Sequence, residues 1–537
     1  MFHQLVTPIG NSLGASFCVA ALPILALVVL LGVLRRPAWQ AAAGALIVAF
    51  AIGVGPWQMP LQPAIQSLLN GATFALWPVM WLVFNGLLLY NIAVHTGRFD
   101  AFRSWMVANL PNDRRIMLIV IGFCFGALLE GIAGFGTPVA ITSSLLILLG
   151  FPAMDALVCV LIFNTAPVAF GALGIPLTVL GSVTGLPATT VAAMVGRQLP
   201  FIALLLPFYV TAVYGGWRSV RSLWPVLLVA GGTFAATQFV ASNFIDYTLA
   251  DVLSSLISLA ATLLFVKVWQ PTSDAGFLIT APASDPARAL RAIPNWQGWI
   301  PWLILTAVVI AWSYFGVAAK GQQAVPWPGL HNLISITLYH DKPYAAIWSF
   351  QPLATGTAVL LATLITCTLF GVSPRDFVNC LVLTVQQLWL PVATVMLIVA
   401  LAYLMNYSGL AYTLGKGAAS TRYLFILLSP FLGWIAVALS GSDTSGNALF
   451  GNLQVIAARQ LHLNPVLFAA TNSSGGVMGK MISAQNIATG AAVTRLKGQE
   501  GAVFARTFWH SIVMTLVLVA LVVIQQFLLP QMIPGAK

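Results

Sequence analysis

Gly126-Ala-Leu-Leu-Glu130-Gly-Ile-Ala-Gly134-Phe-Gly136-Thr137-Pro138 is a glycine-rich run around one acid, set inside an otherwise apolar stretch from 116 to 150. A uniform membrane helix would not choose four glycines and a proline there. A second island, Ser440-Gly441-Ser442-Asp443-Thr444-Ser445-Gly446-Asn447, interrupts the apolar stretch 423–458 in the same way. Each island is followed, at a similar interval, by a polar tip. The first tip is Asn164-Thr165-Ala-Pro167-Val-Ala-Phe-Gly171, and the second is Asn472-Ser473-Ser474-Gly475-Gly476-Val-Met-Gly479-Lys480. The matched order reads as an internal repeat.

The islands are surrounded by sequence made for lipid. Of 537 residues 59% are apolar and 7% are charged, whereas a soluble domain needs roughly 25% charged residues to face water. Mean hydropathy is +0.94, which excludes an ordinary soluble enzyme. The 23 basic and 12 acidic residues leave a net charge of +11. The basic residues sit in short segments between apolar runs, which is the cytoplasmic-loop bias of a polytopic membrane protein and not a nucleic-acid footprint. Five cysteines, an odd number without CxxC spacing, argue against a disulfide framework or zinc site. No Lys or Arg precedes the first apolar run, so that run reads as a retained span and not a cleaved signal.

A span takes about 20 mostly apolar residues. Candidate runs lie near 18–34, 41–55, 74–94, 116–150, 157–183, 199–215 and 223–241, then near 252–268, 300–316, 352–370, 384–405, 423–458, 465–492 and 508–529. Arg35 and Arg36 close the first run, while 56–72 carries no charge, which puts the N-terminus outside. Inside markers follow at Arg98, Arg103, Arg114, Arg115, Arg218, Arg221, Lys267, Arg288, Arg291, Arg375, Arg459, Arg495, Lys497 and Arg506. Alternation through them works only if two segments enter and leave by one side: 157–183 from outside and 465–492 from inside. Lys416 and Arg422 then fall outside, Asp155 lies in an outer turn, and Asp246 and Asp251 read as surface residues. The expected fold is all-α, with about 12 transmembrane helices plus two re-entrant hairpins in two inverted repeats. An N-terminal half, 1–268, is joined by a cytoplasmic linker, 269–299, to a C-terminal half, 300–537, and both termini are periplasmic. The polar stretches 269–299 and 319–350 read as linkers or short surface elements.

Interrupted helices in opposed repeats bring half-helix ends and unwound backbone together at mid-membrane, where exposed N–H groups attract an anion. Glycine and serine clusters also serve close helix packing, but four clusters in matched positions favour a site. Its expected substrate contacts are Gly134, Gly136, Thr137, Asn164, Thr165, Ser440, Ser442, Thr444, Asn472, Ser473 and Ser474. Glu130 and Asp443 are the acids well inside predicted spans, where an ionisable group costs a few kcal/mol unless something offsets it. Both are read as proton-coupling residues. Glu130 is placed ahead because its neighbours Leu128, Leu129, Ile132 and Phe135 are apolar, while Ser442, Thr444 and Ser445 suit an ionised Asp443. Lys480 reads either as partner to the substrate anion or to Asp443, or as a residue reaching for the inner interface. His95 and His510 fall at run ends and read as interfacial.

Other motifs fail. Gly475 to Lys480 is one residue short of a phosphate loop, with Met481 where Ser or Thr would stand. Gly131, Gly134 and Gly136 are in the wrong order for a dinucleotide turn, and no nucleophile or metal-ligand pattern is present, so neither an enzyme nor a metal or organic cofactor is expected. Trp57, Trp77, Trp217, Trp224, Trp299 and Trp302 lie near run ends, as in an aromatic belt.

At the islands the chain resembles the lactate permease family of bacterial carriers, which includes L-lactate and glycolate permeases. The resemblance is carried by 122–141, from Gly122 through Glu130 to Ile141, by Asn164 to Gly171, Gly196-Arg-Gln-Leu-Pro200 and Ser440 to Ser445, and by Gly479-Lys-Met-Ile-Ser-Ala-Gln485. It runs on through Asn406-Tyr-Ser-Gly409 and Trp509-His-Ser511 and is weakest over 269–350. It implies proton-coupled uptake of a small 2-hydroxymonocarboxylate across the bacterial inner membrane, with the lipid bilayer and the anion as partners and no nucleic acid. More distantly the family is similar to anion carriers of the ion-transporter superfamily, some of which are sodium-coupled. The alternatives are therefore a sodium-coupled carrier of another organic anion and, from another class, an anion channel. The oligomeric state stays open, a homodimer being allowed.

Overall fold

A computed structural model describes residues 1–34, 36–132, 134, 136–269, 275–278, 295–494 and 496–535. Phe135, the inner-face markers Arg35, Arg288, Arg291 and Arg495, and most of the expected linker 269–299 lie outside the described residues, as do the side chains of Val107 and Thr137. Among the described residues the chain is overwhelmingly helical. Eight helices are long and apolar enough to cross a membrane, or up to nine when one bent pair is taken as a single span. Their burial identifies the solvent. The apolar windows of Leu13–Leu31 and Glu500–Phe527 are only 22% and 33% buried, whereas that of Arg114–Ile132 is 100% buried. Apolar helices left that open are stable against lipid and not against water. Trp217 and Trp224 are exposed, as an aromatic belt requires, but Trp57 and Trp302 are buried in the protein core and leave that belt. The runs 199–215 and 223–241 lie on one helical element, Leu199–Val240, broken at Gly216 with φ 70°.

Nine helices build the centre. In chain order they are α1 (Arg114–Ile132), α2 (Thr137–Leu148), α3 (Ala153–Phe163), α4 (Gly171–Thr184), α5 (Ala250–Val268), α6 (Leu424–Ser440), α7 (Asp443–Gln460), α8 (Pro465–Lys480) and α9 (Ala484–Val493). The breaks follow from local chemistry. Gly136 and Gly441 take φ values of 82° and 73°, which side chains disfavour and which terminate a helix. The Ser442 hydroxyl then accepts from the Ser445 amide and starts α7.

The two fold-backs occur at the acid islands. Gly126 on α1 faces Thr142 on α2, and Gly150 lies beside the Arg114 guanidinium, so the two helices run antiparallel. Likewise Gly446 on α7 faces Val437 on α6, and Gln454 Nε2 donates to the Ser429 carbonyl at 3.1 Å. The chain does not fold back at 157–183 or 465–492 as expected. α3 and α4 meet at only 66° and run on from one end of the bundle to the other. Asp155 pairs with Arg506 at 3.1 Å at the first end. At the second end the Val183 carbonyl accepts from Asn406, whose own carbonyl accepts from Gln4. α8 and α9 make the reverse crossing, since Gln198 ties Thr471 to Gln525 while Gly490 faces Leu157. Two charge assignments move as a result. Asp155 joins the end marked by Arg506 instead of an outer turn. Arg459, whose guanidinium lies 5.5 Å from the Tyr339 ring centre, joins the end of residues 2–4 instead of the side of Lys497.

The stretch 319–350 does form short surface elements. Residues Ile334–Ile336 pair in parallel with Phe2–His3 and in antiparallel with Lys342–Pro343, and Gln323–Pro326 pairs with Ile347–Phe350. The Met532 carbonyl accepts from Arg197, close to the Gln198–Gln525 contact.

α6 and α8 touch backbone to backbone. A Cβ on Gly475 would sit 2.1 Å from the Pro430 carbonyl oxygen, and one on Gly479 would sit 2.1 Å from that of Trp434. Backbone cannot rotate away as a side chain can. Gly479→Ala is therefore expected to cost about 1–3 kcal/mol by overpacking, read as a lowered melting temperature of the purified protein. Gly501→Ala, where a Cβ meets nothing within 4 Å, is the control, and equal melting of the two variants would disprove the contact.

Candidate functional site

The four breaks converge. Gly134, at the α1–α2 break, lies 3.2 Å in Cβ terms from Ala172 at the α3–α4 break, and Gly136 faces Asn486 and Thr489 of α9. Gly441, at the α6–α7 break, faces Gln485 in the first turn of α9. Asn447 of α7 donates to the Pro176 carbonyl of α4 at 3.2 Å. Each half of the chain thus closes on the other through irregular backbone, which membrane proteins tolerate only inside protein or around a cavity.

Glu130, in the last turn of α1, receives Lys480 Nζ on Oε1 at 2.6 Å and the Asn164 amide on Oε2 at 3.0 Å. Glu130 is 2% exposed and Lys480 6%. Lys480 is therefore neither at an interface nor bonded to Asp443; it is the ion-pair partner of the other acid. Asp443 Oδ2 accepts from the Ser473 hydroxyl at 2.6 Å and the Asn447 amide at 3.0 Å, while its buried Oδ1 has no partner among the described residues. Lys480 lies within coulombic reach of Asp443 as well.

A third carboxyl completes the cluster. Asp251, in the first turn of α5, is 1% exposed and not a surface residue. A Cβ on Gly131 would lie 2.8 Å from that of Asp251, which puts it against the residue after Glu130, and it interacts with both Glu130 and Lys480. The Gln238 side chain faces its carboxyl, though no donor among the described residues comes into close hydrogen-bond geometry with either oxygen. Asp246, by contrast, is half-buried and accepts from Thr248 and Ser313. One lysine thus bonds one carboxyl and has two more within coulombic reach, and burial makes every uncompensated charge expensive.

The remaining expected contacts divide. Asn472 is tied on both sides, its amide donating to Asn447 Oδ1 at 2.9 Å and its Oδ1 accepting from Gln454 at 2.8 Å. Ser474 donates to Gln198 at 2.7 Å. Thr165, just past the end of α3, donates to the Ile162 carbonyl, Ser440 donates to the Ala436 carbonyl of its own helix, and Ser442 serves as a cap. Thr444 is buried, and the side chain of Thr137 lies outside the described residues. Asn164 keeps a buried, unpartnered Oδ1. His510 bonds Tyr209 at 2.6 Å, away from the acids' own partners. Asp251, Asn447, Gln454 and Gln198 were not among the expected site residues; the available signal was polar side chains inside apolar runs.

A family model described as L-lactate permease matches residues 16–529. An L-lactate permease of Salmonella typhimurium is 40% identical over 551 aligned positions, covering 99% of this chain and 100% of the relative. An L-lactate permease of Bacillus subtilis and a glycolate permease of Escherichia coli are each 39% identical, with 99% of both partners covered. Among solved structures, MtrF of Neisseria gonorrhoeae, described as illuminating a class of antimetabolite efflux pumps, aligns with a TM-score of 0.44 at 13% identity, over 87% of this chain and 84% of that one.

Proposed function

The chain belongs to the L-lactate permease family, a family of permeases and not enzymes, and from that premise we propose that it carries lactate, glycolate and similar 2-hydroxymonocarboxylates into the cell together with protons. It is a multi-pass protein of the bacterial inner membrane. The observation that carries the substrate site is the convergence of four helix breaks around one lysine and three carboxyls. Lys480 and the amides at the starts of α7 and α9 offer the positive ends an anion needs, and Asn164 Oδ1 is free to accept from a hydroxyl.

Charge counting supports proton coupling. With Lys480 neutralising Glu130, ionised Asp443 and Asp251 would leave the centre doubly negative before any substrate anion enters. Protons on those carboxyls relieve the repulsion, and their release after the anion completes a symport cycle. Asp443 and Asp251 are thus the proposed proton carriers, in place of Glu130. Gly134, Gly136, Ser442 and Thr444 line the breaks, and Asn472, Ser473 and Ser474 hold the second half in register.

The two fold-backs and two broken crossings are read as re-entrant hairpins and interrupted spans of two inverted repeats, one in 1–268 and one in 300–537. The shared end of residues 2–4 and 525–532 supports placing both termini on one face, proposed as periplasmic. Counterflow in proteoliposomes tests the carrier reading. Labelled lactate should accumulate transiently against unlabelled internal lactate, and collapse of the pH gradient should abolish net uptake. Uptake that follows sodium instead would identify the other coupling ion. Electrogenic flux without exchange would identify a channel.

A further inference from the structure

A cavity of about 1100 Å³ opens at the bundle end that holds residues 2–4. Its wall carries Arg459 and Lys342 and six tyrosines, and no aspartate or glutamate is among its described lining residues. Neither cation pairs with a carboxylate among the described residues. The nearest acid in sequence, Asp341, is occupied by His3 at 3.1 Å and Ser335 at 2.8 Å. The Arg459 guanidinium lies 5.5 Å from the Tyr339 ring centre and faces the buried hydroxyl of that ring.

The floor leads to the site. Thr178 and Gly181 of α4 and Asn452 of α7 line the cavity, and the same two helices meet about one turn deeper, where Asn447 donates to the Pro176 carbonyl. A concave wall with two cations and no acid concentrates anions. A guanidinium beside a phenol suits a carboxylate, with two parallel N–H donors and an O–H.

We propose that this cavity is a capture site for small carboxylate anions, anchored by Arg459 and Tyr339, from which substrate passes to the convergence of the helix breaks. The passage to that centre rests on the transport reading above; the capture itself does not.

The test uses the purified full-length protein. In proteoliposomes, Arg459→Gln should raise the KM for lactate about three- to tenfold at low ionic strength, leave kcat unchanged, and flatten the rise of KM with salt, since screening acts on a charge that is no longer there. Arg459→Lys should keep the salt dependence. Tyr339→Phe, a smaller change, should raise KM in the same direction. In detergent, Trp348, which lines the cavity, should be quenched by lactate in a salt-sensitive way that Arg459→Gln and Trp348→Phe both remove. Transport with wild-type KM and salt dependence in Arg459→Gln overturns the capture site, and so does the absence of salt-sensitive quenching in the wild type. Salt-sensitive quenching in a protein that moves no lactate upholds the capture site and overturns the transport reading instead.

Discussion

Lys480→Met is expected to remove most folded protein from the membrane extract and all measurable lactate transport. Among the described residues the lysine is the single cation bonded to a centre that also holds Glu130, Asp443 and Asp251. Deleting one partner of a buried ion pair leaves the other charge without compensation and costs about 3–5 kcal/mol, a large part of the total stability of a typical domain. Adding Glu130→Gln to the same chain should recover the folded protein, because glutamine strands no charge and its side-chain oxygen still accepts from Asn164. Transport should stay absent in that double variant, since the positive end offered to the substrate anion is gone. Glu130→Gln alone should be milder than Lys480→Met, because the freed lysine still has two carboxyls within reach. Size-exclusion profiles and melting curves of the three variants decide the matter. A Lys480→Met protein as stable as the wild type would mean that the pair does not hold the two halves together.

The second large effect is on energetics and not on folding. Asp443→Asn should reduce pH-driven accumulation of lactate to equilibration, while counterflow stays within about threefold of wild type. Asparagine keeps an oxygen for the Ser473 hydroxyl and the Asn447 amide, so the local shape survives, but it cannot take up or release a proton. For one proton per substrate, each pH unit across the membrane sustains about a tenfold gradient, equal to about 1.4 kcal/mol, so the loss is easily read from plateau levels. Asp251→Asn is the companion measurement. Accumulation lost only in that variant would move the proton to Asp251, and accumulation kept in both would exclude the two carboxyls.

The polytopic helical fold and the two acid islands are legible in composition and spacing, because lipid imposes its demand on every residue of a span. Which of two neighbouring segments doubles back is not. A hairpin followed by a crossing delivers the chain to the same side as a crossing followed by a hairpin, so the charges downstream cannot tell the orders apart. Only the turn between the two segments changes sides. That turn carries Asp155 in the first repeat and Arg459 in the second, too little charge for a statistical bias to settle. The Glu130–Lys480 bond spans 350 residues, and nothing local announces it. Asp251 reads as a surface residue because it flanks a predicted turn; the fold places it deep in the bundle, against Gly131. Sequence neighbours place Glu130 ahead for the proton; its bond to Lys480, invisible in the sequence, is the ground for proposing Asp443 and Asp251 instead.

The stitching of the first residues has a consequence for biosynthesis. The Phe2 amide donates to the Leu333 carbonyl and that of Gln4 to Ser335, the Gln4 side chain reaches the carbonyls of Asn406 and Tyr407, and Thr413 reaches that of Val6. All of these partners leave the ribosome after more than half the chain has been made. At roughly 5–20 residues per second, the leading segment waits about 15–80 s for them, long after the helix behind it has entered the bilayer. The amino terminus is thus the last part of its own region to be locked, and the join works as a late seal on an otherwise inserted protein. A fusion partner attached there would have to be accommodated by the strand pairing of Phe2–His3 with Ile334–Ile336.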